Sequence, residues 1–582
     1  MNLQDTLVLM IAFVSTTATI TGCQRQSPPQ TVQKPATISS SGLRETRNNP
    51  PQHSTMSAFH FTDQSAQTGI EFTYHNGEEA GHVAILEMLG GGVAVLDFDR
   101  DSYEDLYFAG GGGYGDARQI RGAPGGLSRN LGGWGFDDVT EPALLNKPRQ
   151  YSHGASSADY DGDGFPDILV TGYGGLQLWR NQGDGTFSEA TAMSGLSDTQ
   201  WSSSAAWGDL NGDGSLDLFV AHYVNWSFDN HPYCNGPRPE LREYCPPRDF
   251  QPVRSVLYLS NGDGGFRDGT DSYGLREDGK GLGVILCDLD LDGDLDAYMA
   301  NDTVANHLYE NNGKGGFSDV SLLSGTALSD RGVPDGSMGV DLFDYNLDGL
   351  PDLWVSNYER ENCALYQNTG RLLFRHVSQQ TGVTAIGGMF VGWGTCCFDI
   401  DRDGDEDVFV ANGHVVRYSE NAPVQQPSLL FENLEGRRFR NVAPDSGQYT
   451  SSPHAGRGAA TSDLDGDGDL DLVVSHLNSP VTVLENDSKS QGGWLAVDLV
   501  GTISSRDAIG ASVRVTTDLA SQVRQWKGGG SYASTSTRRL FFGLGSATQV
   551  REIEIRWPSG LRQVIVATPM NQVLHVIERQ VF

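Results

Sequence analysis

Basic residues are scarce in this chain: 40 Lys and Arg stand against 74 Asp and Glu in 582 residues, for a net charge of −34. No basic stripe exists to neutralise phosphates, which argues against a nucleic-acid partner. Long apolar runs are missing as well. The apolar core of the N-terminus, Leu7 to Val14, is too short to span a bilayer. No long stretch has a 3.6-residue apolar period, which argues against helical architecture. Cysteine is rare at seven, and no Cys–His spacing fits zinc. There is no Gly-x-Ser-x-Gly elbow, no His-Glu-x-x-His pair and no phosphate loop, so none of these motifs marks the chain as an enzyme.

What the chain has instead is one stretch used seven times. In its fullest copy, Asp463-Leu-Asp465-Gly-Asp467-Gly468-Asp-Leu-Asp471 runs into Leu472-Val473-Val474. Oxygen side chains recur at loop positions 1, 3, 5 and 9. These are Asp97, Asp99, Asp101 and Asp105 in the first copy, and Asp159, Asp161, Asp163 and Asp167 in the second. The third has Asp209, Asn211, Asp213 and Asp217, and the fourth Asp288, Asp290, Asp292 and Asp296. The fifth has Asp344, Asn346, Asp348 and Asp352, the sixth Asp399, Asp401, Asp403 and Asp407, and the seventh Asp463, Asp465, Asp467 and Asp471. Position 6 is Gly in six copies and Ser102 in the first.

Such alternation turns carboxylates inward around a hard divalent cation, and calcium takes about six to eight oxygens in a flexible cage. Gly at position 6 tolerates the positive φ of a tight turn. Up to seven calcium ions are therefore the expected cofactor. The second, fourth, sixth and seventh copies, with four carboxylates and Gly, are expected to bind best. An EF-hand would need a bidentate Glu at position 12 and flanking helices, but position 12 is apolar throughout: Phe108, Val170, Val220, Met299, Val355, Val410 and Val474. The residues after each loop read as strand. The loops hold 31 acidic residues against Arg100 and Arg402, so 29 of the 34 net negative charges sit in them. Seven acidic turns merely solvated by water would not repeat carboxylates in register.

A second motif alternates with the first: Leu, an aromatic, any residue, Asn, then glycines and Phe. It is clear at Leu178…Asn181…Phe187, Leu308…Asn311…Phe317 and Leu365…Asn368…Phe374, and looser at Asn130, Asn261 and Asn433. Each unit then has about four strands, and the loops start 62, 50, 79, 56, 55 and 64 residues apart. Repeating four-stranded units predict an all-β, seven-bladed propeller over residues 58–487. The seventh unit lacks its last strand, and Phe59-His-Phe61-Thr-Asp63 at the start matches the missing piece.

The repeat resembles the FG-GAP/VCBS repeat known from integrin α-subunit propellers. The whole order, with Gly90-Gly-Gly92-Val-Ala-Val-Leu-Asp97 near the start and Ala411-Asn412-Gly413-His414-Val415 near the end, resembles the bacterial cartilage-acidic-protein family. Residues 488–582, with Arg506-Asp-Ala-Ile-Gly510, Gly528-Gly-Gly530-Ser531-Tyr532 and Phe542-Gly543-Leu544-Gly545, resemble the ASPIC/UnbV domain. Alternation at Ala511–Val515 and Glu552–Arg556 reads independently as a small β-sandwich.

Residues 1–22 read as an export signal of the bacterial lipoprotein type, with Cys23 as the lipidated residue; an ordinary secretory signal with a chance Cys is the alternative. Residues 23–57, rich in Gln, Ser, Thr and Pro, read as a disordered tether. Export implies an outer-membrane, cell-surface, periplasmic or extracellular location. In such an oxidising compartment Cys234 and Cys245 are the expected disulfide. Cys363, Cys396 and Cys397 remain open between a pairing, a vicinal bridge and buried thiols, and Cys287 reads as core.

Function is less legible. The strand after each acidic loop ends on His222, Asn301, Asn357, Asn412 or His476 in five units. That end lies opposite the cation loops. Asn and Gly also favour turns, so these residues read either as a ligand face or as strand ends. Three long connections, Gly111–Gly126, Tyr223–Ser255 and Gly413–Ser428, leave from the same side. The middle one carries Trp226, Phe228, Tyr233, Tyr244 and Phe250, with Trp226 and Tyr244 as candidate ligand contacts. The competing reading packs these aromatics onto the blade. The expected role is a monomeric binding or adhesion protein for a glycan or an extracellular protein, held to the membrane by a lipid anchor only. A propeller enzyme acting on polysaccharide, a lyase or hydrolase, is the alternative.

Overall fold

The computed structural model describes residues 59–148, 150–490 and 492–579. The export segment, the tether and Cys23 lie outside the described residues.

Seven antiparallel sheets of four repeat strands account for the repeats. In the fourth blade the strands are Gly281–Cys287, Asp296–Asn301, His307–Asn311 and Phe317–Asp319, and the acidic loop joins the first to the second. Second strands are apolar on both sides because they lie inside the blade stack; Leu472, Val473 and Val474 are all fully buried. Each first strand packs against the next. Val93–Leu96 meets Tyr151–Ala158, then come Ser202–Gly208, Gly281–Cys287, Ser337–Phe343, Gly392–Phe398 and Gly456–Ser462, which returns to Val93–Leu96. These seven strands therefore line the axis of a closed ring. The N-terminal strand Phe61–Asp63 completes the seventh blade, pairing with Ser479–Asn486 so that Phe61 faces Asn486. That pairing removes the exposed sheet edge at the seam.

The C-terminal residues form two sheets. Trp494–Val500 lies between Leu540–Gly543 and Val573–Ile577, antiparallel to one and parallel to the other. Ser521–Gln525, Ser512–Thr517, Val550–Arg556 and Arg562–Val566 make the second sheet. Alternation puts Val513, Val515, Ile553 and Ile555 into one core, but that core also contains Leu210 and Leu295 of the propeller. The sandwich read from the sequence is thus fused to the ring and does not stand apart. Trp557 is buried in the same core.

The fusion goes further. Residues 528–537 leave the sandwich and run into the propeller axis, where they bond to all seven first strands. Gly528–Gly529 pairs with Leu286 and Ile285 of the fourth blade. Ser531 accepts from Val340 N and Thr395 N and donates to the Ala459 carbonyl, reaching blades five, six and seven. Ala533 bonds Ala155 N and Ser204 Oγ in blades two and three, and Thr535 exchanges both backbone bonds of Val93 and Val95 in blade one. Only glycine fits at the closest approach: a Cβ on Gly528 would lie 1.8 Å from the Trp207 carbonyl oxygen. Tyr532 is fully buried, receives the Gly90 N–H on its Oη at 3.1 Å and meets the Trp393 ring edge-on at 4.7 Å. Tyr532→Ala should lower unfolding free energy by about 3–5 kcal/mol, the usual cost of emptying a large aromatic site. Chemical denaturation checks this, and an unchanged midpoint would mean that the axial segment does not hold the ring.

Candidate cation loops and the opposite face

The seven acidic loops share one hydrogen-bond plan. The position-1 carboxylate accepts the position-6 N–H in every copy and the position-5 N–H in five, as Asp288 does from Gly293 at 3.0 Å and Asp292 at 3.1 Å, whereas Asp163 and Asp467 donate to the position-3 carboxylates Asp161 and Asp465. Position 5 accepts from position 7, as Asp292 does from Asp294. Position 6 is left-handed in every copy, including Ser102 at φ 80°. Position 4 is left-handed as well, although it holds Arg100, Leu291, Leu347 and Arg402 in four copies and Gly162, Gly212 and Gly466 in the others. The sequence reading missed that second turn, for which the three glycines were the available signal.

Position 9 opens the second strand and is buried in all seven blades. Its two oxygens are both taken by backbone. In the fourth blade Asp296 accepts from Leu289 N at 3.0 Å and from Asn311 N, on the third strand, at 2.9 Å. Burial pushes Asp105 and Asp352 up to about 9 and Asp217 up to about 7. It drives Asp167, Asp296, Asp407 and Asp471 well above the usual carboxylate range.

Oxygens from positions 1, 3 and 9 converge. Those of Asp97, Asp99 and Asp105 lie within 4.8 Å of one another, and so do the sets Asp159, Asp161, Asp167; Asp288, Asp290, Asp296; and Asp399, Asp401, Asp407. Asp99 Oδ1, Asp159 Oδ1 and Asp290 Oδ1 are buried without a hydrogen-bond partner. Crowded carboxylates, unpartnered buried oxygens and an all-oxygen donor set fit a hard divalent cation. These acidic clusters can hold ions.

The second motif proves to be a clamp between blades. Asn368 Nδ2 donates to Pro351 O beside its own loop and to Leu289 O, at 2.7 Å, in the loop of the preceding blade. Asn130, Asn181, Asn311, Asn433 and Asn486 likewise reach Leu464, Phe98, Leu210, Tyr345 and Ile400. In the third blade the register puts Ser260, not Asn261, opposite Phe266, and Ser260 N bonds Asp217.

The C-terminal domain sits against the loop face. Asp159 N donates to Asp507 Oδ2 at 2.9 Å, Gln525 Nε2 to Asp288 O at 2.7 Å, and Arg539 Nη2 to Ser102 O at 3.0 Å. Lys527 pairs with Asp341 and Arg524 with Glu406.

On the opposite face, the structure corrects the expected ligand residues. His222, Asn301, Asn357, Asn412 and His476 are all buried. Each ties down the connection leaving its strand. His222 Nδ1 lies 2.6 Å from Arg254 O and His476 Nδ1 2.7 Å from Pro480 O, while Asn301, Asn357 and Asn412 donate to Ala305, Asn362 and Pro427 carbonyls. Trp226 and Tyr244 are only 2% and 7% exposed. Trp226 Nε1 is bonded to His231, and both aromatics pack in a core with Trp201, Tyr223 and Met88. They fold the connection down because their apolar area gains more by burial than by exposure. Of the five aromatics, Tyr233 alone is exposed, at 60%. Cys234 and Cys245 are joined by a disulfide, whereas Cys287, Cys363, Cys396 and Cys397 are free.

That face does carry a cleft of about 790 Å³. Its walls are the segment His75–Met88, the connection Gly413–Ser428, Tyr244 and the edge of blade seven at Leu477–Ser479. Two buried charges line it. Arg457 donates to the carbonyls of Met88, Gly413, Gly456 and His414, lies 4.4 Å from the Trp393 ring centroid, and has no carboxylate partner among the described residues. Glu87 is 1% exposed, and burial raises it to about 7 against hydrogen bonds from the Tyr114 and Tyr244 hydroxyls. Neither residue stood out in the sequence, since a single Glu or Arg has no periodic signal.

The FG-GAP-like repeat family matches residues 159–220, 288–355, 344–410 and 399–474, and the ASPIC and UnbV family matches residues 501–581. Cartilage acidic protein 1 of Xenopus tropicalis is 26% identical over 514 residues, spanning 83% of this chain and 73% of that protein. The Homo sapiens protein of the same name is 24% identical over 520 residues, spanning 84% and 72%. A solved structure of an Agrocybe aegerita lectin, described as recognising non-reducing terminal N-acetylglucosamine, is 16% identical, with a TM-score of 0.38 over 67% of this chain and 87% of that one.

Proposed function

We propose that this chain, which is built of FG-GAP-like repeats and ends in an ASPIC and UnbV domain, is an exported, calcium-stabilised binding or adhesion protein that recognises a glycan or a protein at the cell surface. The cleft opposite the cation loops carries this reading, because it is a concave surface of about 790 Å³ lined by the exposed Glu78, Glu79 and Arg417 and by the buried Glu87 and Arg457. Ligand sites are concave and place a few polar groups among apolar walls, and the charged side chains of this cleft would hydrogen-bond a hydroxyl or amide of a ligand. The loop face is less available, being covered in part by the C-terminal domain.

Calcium would be held by positions 1, 3, 5 and 9 of the loops, where it would neutralise the clustered carboxylates and so favour the folded ring. The Cys234–Cys245 disulfide fits an oxidising compartment. Among the described residues no helix is long and apolar enough to cross a membrane, and attachment would rest on a lipid at Cys23.

Metal, ligand and anchor are tested separately. Calcium at about 100 times its dissociation constant should add about 2.7 kcal/mol per occupied site; a melting temperature unmoved by EDTA, with no calcium in elemental analysis, would remove the cofactor. A glycan array and a panel of extracellular proteins, both probed with calcium, should yield a saturable ligand. Glu79→Ala and Arg417→Ala, on the exposed rim of the cleft, should weaken that binding about tenfold while the melting temperature holds; unaltered binding would place the site elsewhere. Cys23→Ser should shift the protein from the membrane fraction to a soluble one, and a wild type already soluble after export would refute the anchor.

A further inference from the structure

The seven loops are not equivalent in charge, and part of the difference lies outside them. The residue before the clamp asparagine, or before Ser260 in the third blade, occupies one register position on every third strand. It is Arg129, Arg180, Leu259, Glu310, Gln367, Glu432 and Glu485 in blades one to seven, pairing with Asp137, Ser188, Arg267, Ser318, Arg375, Arg440 and Thr62. In the first two blades this side chain is a guanidinium laid on the loop. Arg129 Nε lies 2.6 Å from Asp99 Oδ2 and its Nη2 3.1 Å from Asp101 Oδ2. Arg180 repeats this with Asp161 at 2.6 Å and Asp163 at 3.2 Å. In blades four, six and seven the same register position is a carboxylate, Glu310, Glu432 or Glu485.

We infer that this third-strand residue grades the loops into two classes of cation site, tight in blades four, six and seven and weak in blades one, two, three and five. The inference rests on the calcium reading above. Counting the four loop positions and the third-strand residue, the tight sites carry five negative charges. The other four carry three, because Arg129 and Arg180 each cancel one, and because Asn211 with Leu259 and Asn346 with Gln367 supply none. Ligand charge is a main control on calcium affinity. Coulomb's law at a separation of ~5 Å and water-like screening makes each unit charge worth about tenfold for a divalent ion. Two charges then separate the classes by about a hundredfold. Arg524 Nη2 lies 3.9 Å from Asp399 Oδ2, and Glu432 shares its Oε2 with Arg440 Nε at 2.9 Å, which makes the sixth site the weakest of the tight three. The second blade, ranked among the best from its loop alone, moves to the weak class because of Arg180.

The test titrates the EDTA-stripped full chain with calcium by calorimetry and counts bound metal by elemental analysis after dialysis. Three ions should bind in a tight phase, separated from the rest by about a hundredfold. Arg180→Gln, at a half-exposed position, should strengthen one weak site about tenfold, and Glu310→Gln should weaken one tight site about tenfold. Seven equal sites, or affinities unmoved by both substitutions, would overturn the grading and leave the calcium reading standing. No calcium uptake at all would overturn both.

Discussion

The aspartate at the ninth loop position is the constraint on which the ring depends. A carboxylate withdrawn from water costs several kcal/mol unless other groups compensate it. At Asp296 the compensation comes from two backbone N–H groups, one in its own loop and one on the third strand. The loop must therefore fold back over the strand it precedes, and the third strand must lie in one register. The same fold-back gathers positions 1 and 3 around the buried oxygen. Cation site and blade are one arrangement. The clamp asparagines extend it, since Asn368 and its counterparts donate across to the preceding loop and so join blades through backbone carbonyls that burial would otherwise leave unpaired.

The axis poses a second problem. Seven first strands present their inner edges to a common channel, and unpaired backbone edges are costly to bury and prone to pair with other chains. The segment 528–537 supplies partners to all seven at once, with glycine where the approach is closest. The C-terminal domain is consequently part of the propeller's core. Its position on the loop face also leaves the opposite cleft, with Glu87 and Arg457 at its lining, as the open concave surface.

The polar strand ends show how an attractive pattern can mislead. His222, Asn301, Asn357, Asn412 and His476 recur in register because each holds the next connection by a bond to its backbone. Recurrence of that kind reflects a repeated turn. A binding residue has no reason to repeat from blade to blade, and the two buried charges of the cleft occur once each.

Much of the architecture was legible in the sequence because its physics is local and periodic. Carboxylates two residues apart, a glycine at a forced left-handed turn and an apolar run after it define a loop and a buried strand without knowledge of the rest. Seven copies and a displaced strand at Phe61–Asp63 then define a closed ring. The pairing of Ser260 in place of Asn261, the burial of Trp226 and Tyr244, the threading of residues 528–537 through the axis, and the placing of Arg180 and Glu310 beside the loops were decided only in three dimensions. Each depends on which distant segment comes to lie alongside, and side-chain burial and long-range charge pairing are properties of that neighbour, which local spacing does not encode.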